Sequence, residues 1–375
     1  MSYSLPMPYR QLGGLIRDVA GGENHAWFGD VGFFVPSGGA PDEAWVEELV
    51  RRRWPGMHPD LLPFAHDGAD NLYCLHRSAR HAMRDVAPVM LWMYETYHAV
   101  PVASSFETFV AWLGLTAWTT VRRGSDPVID AHHFDAAVRP LLERFDLSTE
   151  FSVLLPEPYP SNAEVHRAFL KLDPFAPASL VAAGMRQQQA GMGLRGIESV
   201  DRALSAFPEF SAAAVARSRI QASLRDLPGE LAAVEQALRL PLAYSGDAMM
   251  PFLGEVPEVD AGALLETLNG HPLPTDSIFA EPAWELLLYD DPTSPQTWLQ
   301  VAADWANAGA LEESVTLACN ALHLSGNGPP EAAMETLSLL LELYEALHWP
   351  WHHHIVEQEQ AARANRRVPL RRRGR

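Results

Sequence analysis

The side chains most suited to metal chemistry are histidines, which occur in two short runs. One run is His352-His353-His354, with His348 four residues before its first member, and a second histidine pair occupies positions 132 and 133. Two histidines at i and i+4 on one helical face are a common pair of zinc ligands. Adjacent histidines point in different directions on a helix, however, so a solvated or partner-facing patch is favoured over a metal site.

Three other motifs have the letters of a functional site without its spacing. The run Asp67-Gly68-Ala69-Asp70-Asn71 is rich in oxygen ligands but lacks the distal glutamate of a calcium loop, so it predicts a turn. Cys74 and Cys319 are the only cysteines and lie far apart, which favours two buried apolar side chains. The glycines of 191–196 follow a predicted helix, whereas a dinucleotide loop follows a strand. We therefore predict no catalytic residue, no metal and no cofactor.

The distribution of charge is the most unusual feature of the sequence. The chain has 375 residues and a net charge of −19. No lysine or arginine occurs between Arg239 and Arg363, a stretch that contains 19 acidic residues. This stretch therefore accounts for the whole net charge, and the rest of the chain is balanced.

The acidic stretch has two interpretations. Solvent-facing helices are often charged, and solubility alone explains an excess of acids. Mixed signs, however, give i, i+4 pairs worth about 0.2–0.5 kcal/mol each, and their complete loss over this length favours a negative field that steers a basic partner. The candidate contact residues for such a partner are Asp290, Asp291, Asp304, Glu312 and Glu313.

The two ends of the chain carry simpler signals. The last 13 residues, 363–375, contain seven arginines. They are either a disordered terminus or a segment that folds back on the acidic stretch, and direct nucleic-acid binding through them is disfavoured by the overall charge. The first residues lack a basic patch followed by an apolar core, and no long apolar run occurs, so we expect a cytoplasmic protein without a membrane span.

The first 120 residues predict short strands with two helices. An aromatic, β-branched strand covers 27–35, and a helix follows over 43–53. The two apolar runs 61–65 and 71–75 flank the Asp67 turn and predict a hairpin. Further strands are expected at 86–93 and 98–103. Ser104 and Glu107 have the spacing of a capping box at the start of the next helix.

This order of elements resembles a known family. The runs LPFAHDGADNLYCL and VPVASSFETFVAWL, with FGDVGFFVPSGG before them, are similar to the core of the SUKH superfamily, which is named partly for a yeast regulator of cell-wall synthesis. The resemblance implies an α+β domain with a curved, mainly antiparallel sheet. It also implies protein binding, in bacteria chiefly as immunity proteins against polymorphic toxins.

Helical periodicity replaces strand periodicity from about residue 161. Amphipathic segments at 177–190, 195–207, 211–224 and 229–240 pair into two units of roughly 34 residues, the tetratricopeptide period. After an irregular stretch over 241–282, further helices are expected from Pro295. The segment ADWANAGALEESVTLACNAL resembles one tetratricopeptide unit, with alanines where two helices approach closely.

The sequence thus predicts four regions and a binding function. They are a SUKH-like domain over 1–120, a connector with one helix over 121–160, an acidic helical-repeat domain over 161–364 and an arginine-rich tail over 365–375. The leading hypothesis is a non-enzymatic immunity protein that binds a cognate toxin, expected to be a basic nuclease-type effector. The alternative is a regulatory or assembly scaffold that binds client proteins.

Overall fold

The chain forms two compact units. The computed structural model describes residues 25–28, 31–34, 43–78, 87–124, 130–147, 151–155, 159–247, 252–272, 282–289, 291–326 and 330–366. Among them, the larger unit contains those between 25 and 49 and between 61 and 260. The smaller unit contains residues 50–60 and those from 261 onward. The four predicted regions stay a prediction about how the sequence is divided.

A six-stranded antiparallel sheet lies in the larger unit, with its strands in sequence order. The strands are β1 His25–Phe28, β2 Val31–Phe34, β3 Leu61–His66, β4 Leu72–His76, β5 Val89–Trp92 and β6 Ala99–Ala103. The single aromatic strand expected over 27–35 is wrong, because β1 and β2 pair with each other and Phe28 lies opposite Val31. Because the two strands are antiparallel neighbours, the backbone groups of β1 form hydrogen bonds with those of β2.

The predicted hairpin between β3 and β4 is confirmed, together with its turn. Gly68 and Asp70 have φ of 79° and 65°, in the left-handed region. The Asp67 carboxylate accepts hydrogen bonds from the backbone N–H of Ala69 at 2.8 Å and from the side chain of Asn71 at 2.7 Å. The oxygen-rich run therefore stabilises its own turn.

Helix α1, Glu43–Arg51, precedes β3, and helix α2, Phe106–Arg123, follows β6. Helix α2 packs on the sheet through aromatic side chains: the ring of Phe64 lies 5.5 Å from the rings of both Phe106 and Phe109. Such edge-to-face contacts add to the burial of apolar area.

The expected cap of α2 is displaced by one residue. Ser105, not Ser104, is the N-cap, and it forms a capping box with Thr108 in place of Glu107. Ser104 has another role, because its backbone N–H and its hydroxyl donate to the Asp173 carboxylate at 2.8 Å and 2.7 Å. Hydrogen bonds to a residue 69 positions away thus replace the capping role that the local sequence predicted for Ser104.

The rest of the larger unit is helical. A helical stretch consists of α3 Ala131–His133, a π-helical turn Phe134–Val138 and α4 Arg139–Arg144, and then come α5 Phe151–Leu154, α6 Asn162–Leu172, α7 Pro177–Gln189, α8 Gly193–Ala206, α9 Ser211–Ser223 and α10 Leu227–Leu238. Helices α7 and α8 approach so closely that a Cβ at Gly184 would lie 2.9 Å from the Gly196 carbonyl oxygen. Glycine at these positions permits the helical hairpin that the repeat pattern predicted.

Strand β6 is an edge strand, and the helical part of the larger unit covers it. The backbone N–H of Ala99 donates to the Ala243 carbonyl at 2.7 Å. At the end of β4, His76 Nε2 lies 3.1 Å from Glu209 Oε2 and 2.9 Å from the Tyr244 hydroxyl, all three side chains being buried. The sheet and these helices therefore share one core.

The described part of the smaller unit is helical apart from residues 52–60 and the turns between its helices. Its helices are α11 Ala261–Asn269, α12 Pro282–Tyr289, α13 Pro295–Asn307, α14 Leu311–Ser325, α15 Pro330–Ala346 and α16 Pro350–Arg366. Helix α11 lies inside the stretch expected to be irregular. Its buried side chains include Leu264, Leu265 and Leu268, and their helical spacing outweighs the neighbouring prolines that favour irregular structure. Gly309, at φ 86°, joins α13 to α14 as predicted.

The buried carboxylate of Asp173 gives a first prediction. Asp173→Ala leaves the two donors of Ser104 and the backbone N–H of Phe175 without their acceptor. We expect the free energy of unfolding to fall by about 2–4 kcal/mol in urea titrations, because buried donors lose their partner. Asp135→Asn is the control, since it removes only an exposed ion pair with Arg139 and should cost less than about 0.5 kcal/mol. Equal effects of the two substitutions would contradict this role of Asp173.

Candidate protein-binding surface

Four of the five predicted contact residues are described, and all four are exposed. Asp290 lies outside the described residues. Asp291 precedes α13, Asp304 lies near the end of α13, and Glu312 and Glu313 occupy the first turn of α14. Exposure is a condition for contact with a partner, and whether these residues make that contact stays a prediction.

Asp291 is held by its own turn. Its Oδ1 accepts from the backbone N–H of Thr293 at 2.9 Å and from the Thr293 hydroxyl at 2.7 Å. These two hydrogen bonds lower the pKa of the Asp291 carboxyl below its usual value. The charge at this point of the surface is therefore fixed in position and persists in mildly acidic solution.

The predicted residues fall into two groups. Asp304 and the pair Glu312 and Glu313 lie on either side of the Gly309 turn. Asp291 lies at the other end of α13, whose 13 residues span about 20 Å. Glu312 and Glu313 favour the positive end of the α14 dipole, whereas Asp304 lies near the negative end of α13. The helix dipole thus explains the positions of Glu312 and Glu313 but not the position of Asp304.

Sequence reasoning missed a second acidic feature, on α15. Glu331, Glu335, Glu342 and Glu345 are all exposed, and at 100° per residue they fall within an arc of about 80°. We call these four residues the acidic stripe; it extends over about 21 Å of the helix. Their i, i+4, i+11, i+14 spacing is readable in the sequence, but the sequence alone does not show that all four are exposed.

The stripe belongs to a wider surface of one sign. The exposed acidic residues described in 261–362 are Glu266, Asp291, Asp304, Glu312, Glu313, Glu331, Glu335, Glu342, Glu345 and Glu357. Like charges one turn apart, such as Glu331 and Glu335, each cost an isolated helix a few tenths of a kcal/mol. Helix α15 retains this cost at Glu331 and Glu335 and again at Glu342 and Glu345, so the charge of the stripe is not arranged for helix stability.

The other candidate groups have structural partners. Cys74 and Cys319 are buried and are not joined in a disulfide. His352 is buried and its Nε2 lies 2.8 Å from Asp60 Oδ1. His348 lies in the turn between α15 and α16, at φ 56°, so it does not share a helical face with His352. The i, i+4 geometry of a zinc pair is therefore not formed.

A serine and a histidine meet inside the larger unit, which the sequence did not reveal. His166 Nδ1 lies 2.8 Å from Ser179 Oγ, and its Nε2 contacts the carbonyl oxygen of Phe252. Since a carbonyl only accepts, Nε2 carries the proton and Nδ1 accepts from the hydroxyl. A serine hydroxyl bonded to histidine resembles an activated nucleophile. Ser179, however, is only 1% exposed, so the pair connects α6 to α7 in the core.

The sheet with its flanking helices defines an α+β protein that continues into a mostly helical region. Residues 1–112 match the SMI1 / KNR4 family (SUKH-1). The chain therefore carries a SUKH-1 domain followed by a helical region, as the resemblance predicted. The comparison with curated proteins found no match. No helix in the described part of the chain combines the length and apolar character needed to cross a bilayer.

His166 provides a test by pH. Burial lowers its pKa to about 4, assisted by the charge of Arg186 and opposed by the hydrogen bond to Phe252. In the unfolded chain the pKa returns to about 6.5, so between these values the unfolded state binds more protons. The contribution to stability is therefore complete above about pH 6.5 and decreases toward pH 4, by about 3 kcal/mol in total.

His166→Gln should remove this part of the pH dependence. Urea unfolding between pH 7 and 4.5 measures the slope for the wild-type chain and the variant. His132→Gln, which replaces an exposed histidine, should keep the wild-type slope. Identical slopes for the wild type and His166→Gln would show that this buried histidine does not set the acid stability.

Proposed function

We propose that the protein is a bacterial immunity protein that binds and neutralises a cognate toxin without catalysis. The observation that carries the proposal is the SUKH-1 match of residues 1–112, since the resemblance implies immunity against polymorphic toxins. The protein would act in the cytoplasm, where a toxin meets its target. It forms and breaks no covalent bond in this role.

The charge of the smaller unit supports a basic partner. A nuclease engages phosphates through lysine and arginine, and a surface of carboxylates attracts the same side chains. The stripe and the groups around the Gly309 turn present such a surface. A sustained negative field raises the association rate with a basic protein by roughly 10- to 1000-fold at low salt. Neutralisation then follows from occlusion of the toxin's nucleic-acid site.

The first experiment is a pull-down from the native host with the tagged full-length chain, washed at low and then at high salt. We expect mass spectrometry to identify one basic, toxin-like domain that is retained at low salt and lost at high salt. Several unrelated cellular proteins, or an absence of toxin domains, would instead support the scaffold described below.

Charge reversal tests the mechanism once the toxin is known. The variant Glu312→Lys with Glu313→Lys should slow association and flatten its dependence on salt, because the local field that steers the partner is reduced. Glu335→Lys with Glu342→Lys tests the stripe in the same way. Each pair changes the net charge by +4, and roughly tenfold slower association at low salt is expected from stopped-flow measurements.

The matched control is Glu143→Lys with Glu198→Lys, two exposed glutamates of the larger unit. It produces the same change in net charge at a different place and should leave association within about twofold of the wild type. Unchanged association kinetics in both smaller-unit variants would exclude these acids from the interface. Identification of a toxin in the pull-down would still support the immunity function in that case.

A scaffold is the second candidate, and one observation favours it. Met192 and Leu194 at the α7–α8 turn, and Leu224 and Leu227 at the α9–α10 turn, are exposed, Leu194 to 73%. A Cβ at Gly193 would lie 2.8 Å from Leu224, so the two turns are adjacent. Exposed apolar clusters commonly mark protein contacts. A scaffold would retain a client after Glu312→Lys and Glu313→Lys but lose it after Leu194→Ser.

A further inference from the structure

Four apolar side chains are exposed together at two neighbouring turns of the larger unit. Leu194 is 73% exposed, and Met192, Leu224 and Leu227 are exposed to 41%, 42% and 38%. A Cβ at Gly193 would lie 2.8 Å from the Leu224 side chain, so the α7–α8 and α9–α10 turns are in contact. We call these four side chains the turn patch. Exposed apolar patches commonly mark a protein interface.

Hydrogen bonds hold the turn patch in place before any partner binds. The backbone N–H of Met192 donates to the Gln187 carbonyl at 2.8 Å, and the N–H of Asp226 donates to the Gln221 carbonyl at 3.0 Å. The Asp226 carboxylate also caps α10 by accepting from the Gly229 N–H at 3.2 Å. Binding therefore orders little of the backbone, which lowers the entropic cost of association.

Two exposed charges of opposite sign lie beside the turn patch. Leu194, Arg195 and Glu198 are all exposed and fall within an arc of about 100° on α8. The guanidinium of Arg195 lies 4.0 Å from the sulphur of Met192. Among the described residues, neither Arg195 nor Glu198 has an ion-pair partner. Both charges are thus available to a molecule that covers the patch.

We propose that the turn patch is covered by the same patch of a second copy of the chain, related by a two-fold axis. In such an isologous contact, every pair of side chains that meets across the axis occurs twice. Leu194 of each copy packs against Leu224 of the other, and Arg195 of each copy pairs with Glu198 of the other. The contact needs an apolar centre with one exposed residue of each sign beside it, and this face provides both.

The distribution of charge favours a second copy over other occupants. Each copy carries a net charge of −19, so two copies repel each other overall. Residues 177–240 contain seven arginines and six acidic residues, whereas 19 acidic residues and no basic residue lie between Arg239 and Arg363. Two copies can therefore approach through the turn patch without a local excess of negative charge. Its balanced signs select neither a strongly basic nor a strongly acidic protein.

The interface is small, so the proposed dimer is weak. Stable interfaces bury about 800 Å² on each partner, and four apolar side chains with their charged neighbours cover less. We expect a dissociation constant of roughly 10–100 µM. This inference goes beyond the immunity proposal, because the turn patch lies in the larger unit and the proposed toxin contacts lie in the smaller unit. Either proposal can fail without the other.

Sedimentation velocity of the full-length chain tests the dimer. Measurements run from about 1 to about 300 µM in about 0.15 M salt, which screens the net charge beyond about 8 Å. We expect the sedimentation coefficient to rise with concentration from monomer to dimer. Leu194→Ser should raise the dissociation constant roughly tenfold or more, because it removes the central apolar contact. Val153→Ser is the matched control, since Val153 is 68% exposed elsewhere in the larger unit, and it should leave the dimer unchanged.

An exchange of charge tests the pairing across the two-fold axis. Arg195→Glu and Glu198→Arg each bring like charges together in a homodimer, so each variant alone should dimerise roughly tenfold more weakly. An equimolar mixture should recover to within about twofold of the wild type, because the heterodimer restores both pairs of opposite charge. Loss of a merely structural contact would not be repaired by mixing.

Three results would overturn the proposal. They are a monomer up to about 300 µM, a wild-type dissociation constant in Leu194→Ser, and a mixture of the two charge variants that dimerises as weakly as its components. A monomeric chain that retains a host protein and loses it after Leu194→Ser would also overturn the dimer, and would assign the turn patch to a client of the scaffold described above.

Discussion

The edge of the sheet at β6 is the constraint on which the larger unit depends. An unpaired edge presents backbone donors and acceptors that favour aggregation, so it has to be covered. Here the helical part of the same unit covers it: Ala243 accepts from the backbone of Ala99, and Asp173 accepts from Ser104. Both contacts use the region after the SUKH-1 match. The helices up to residue 260 therefore complete the core of the sheet, which explains why they form one compact unit with it.

Buried polar groups make this attachment specific. The contact of His76 with Glu209 and Tyr244 is satisfied only when the end of β4, the α8–α9 connection and the segment after α10 are all in place. Apolar packing of Phe207 against His76 and Tyr244 tolerates small shifts, whereas a buried carboxylate without its partner is strongly destabilising. These contacts fix the position of the sheet relative to the helices of the same unit. In the smaller unit, His352 and Asp60 connect residues 50–60 to α16 by the same kind of contact.

Local signals predicted most of the fold. Short apolar runs bounded by turn residues identified β3 to β6. The helical period with its Gly and Pro boundaries located α7 to α10 and the helices that follow Pro295. The cap of α2 was wrong because a distant partner altered a local preference: Ser104 donates to Asp173, and Ser105 caps the helix. The contact between Glu209 and His76 joins residues 133 positions apart, and no rule of sequence spacing predicts it. The sequence gives the net charge, but it does not show which acidic side chains are exposed. The four residues of the acidic stripe are therefore known only from the structure.

The exposed acids of the smaller unit have a physical consequence that does not depend on which molecule approaches them. They are spread over several helices and lie in water, so salt screens their field. A field of this kind acts mainly on the rate at which a charged molecule meets the surface. Close contacts determine how long a complex lasts. A test of the proposed toxin contact therefore has to separate association from dissociation, because an equilibrium constant combines the two.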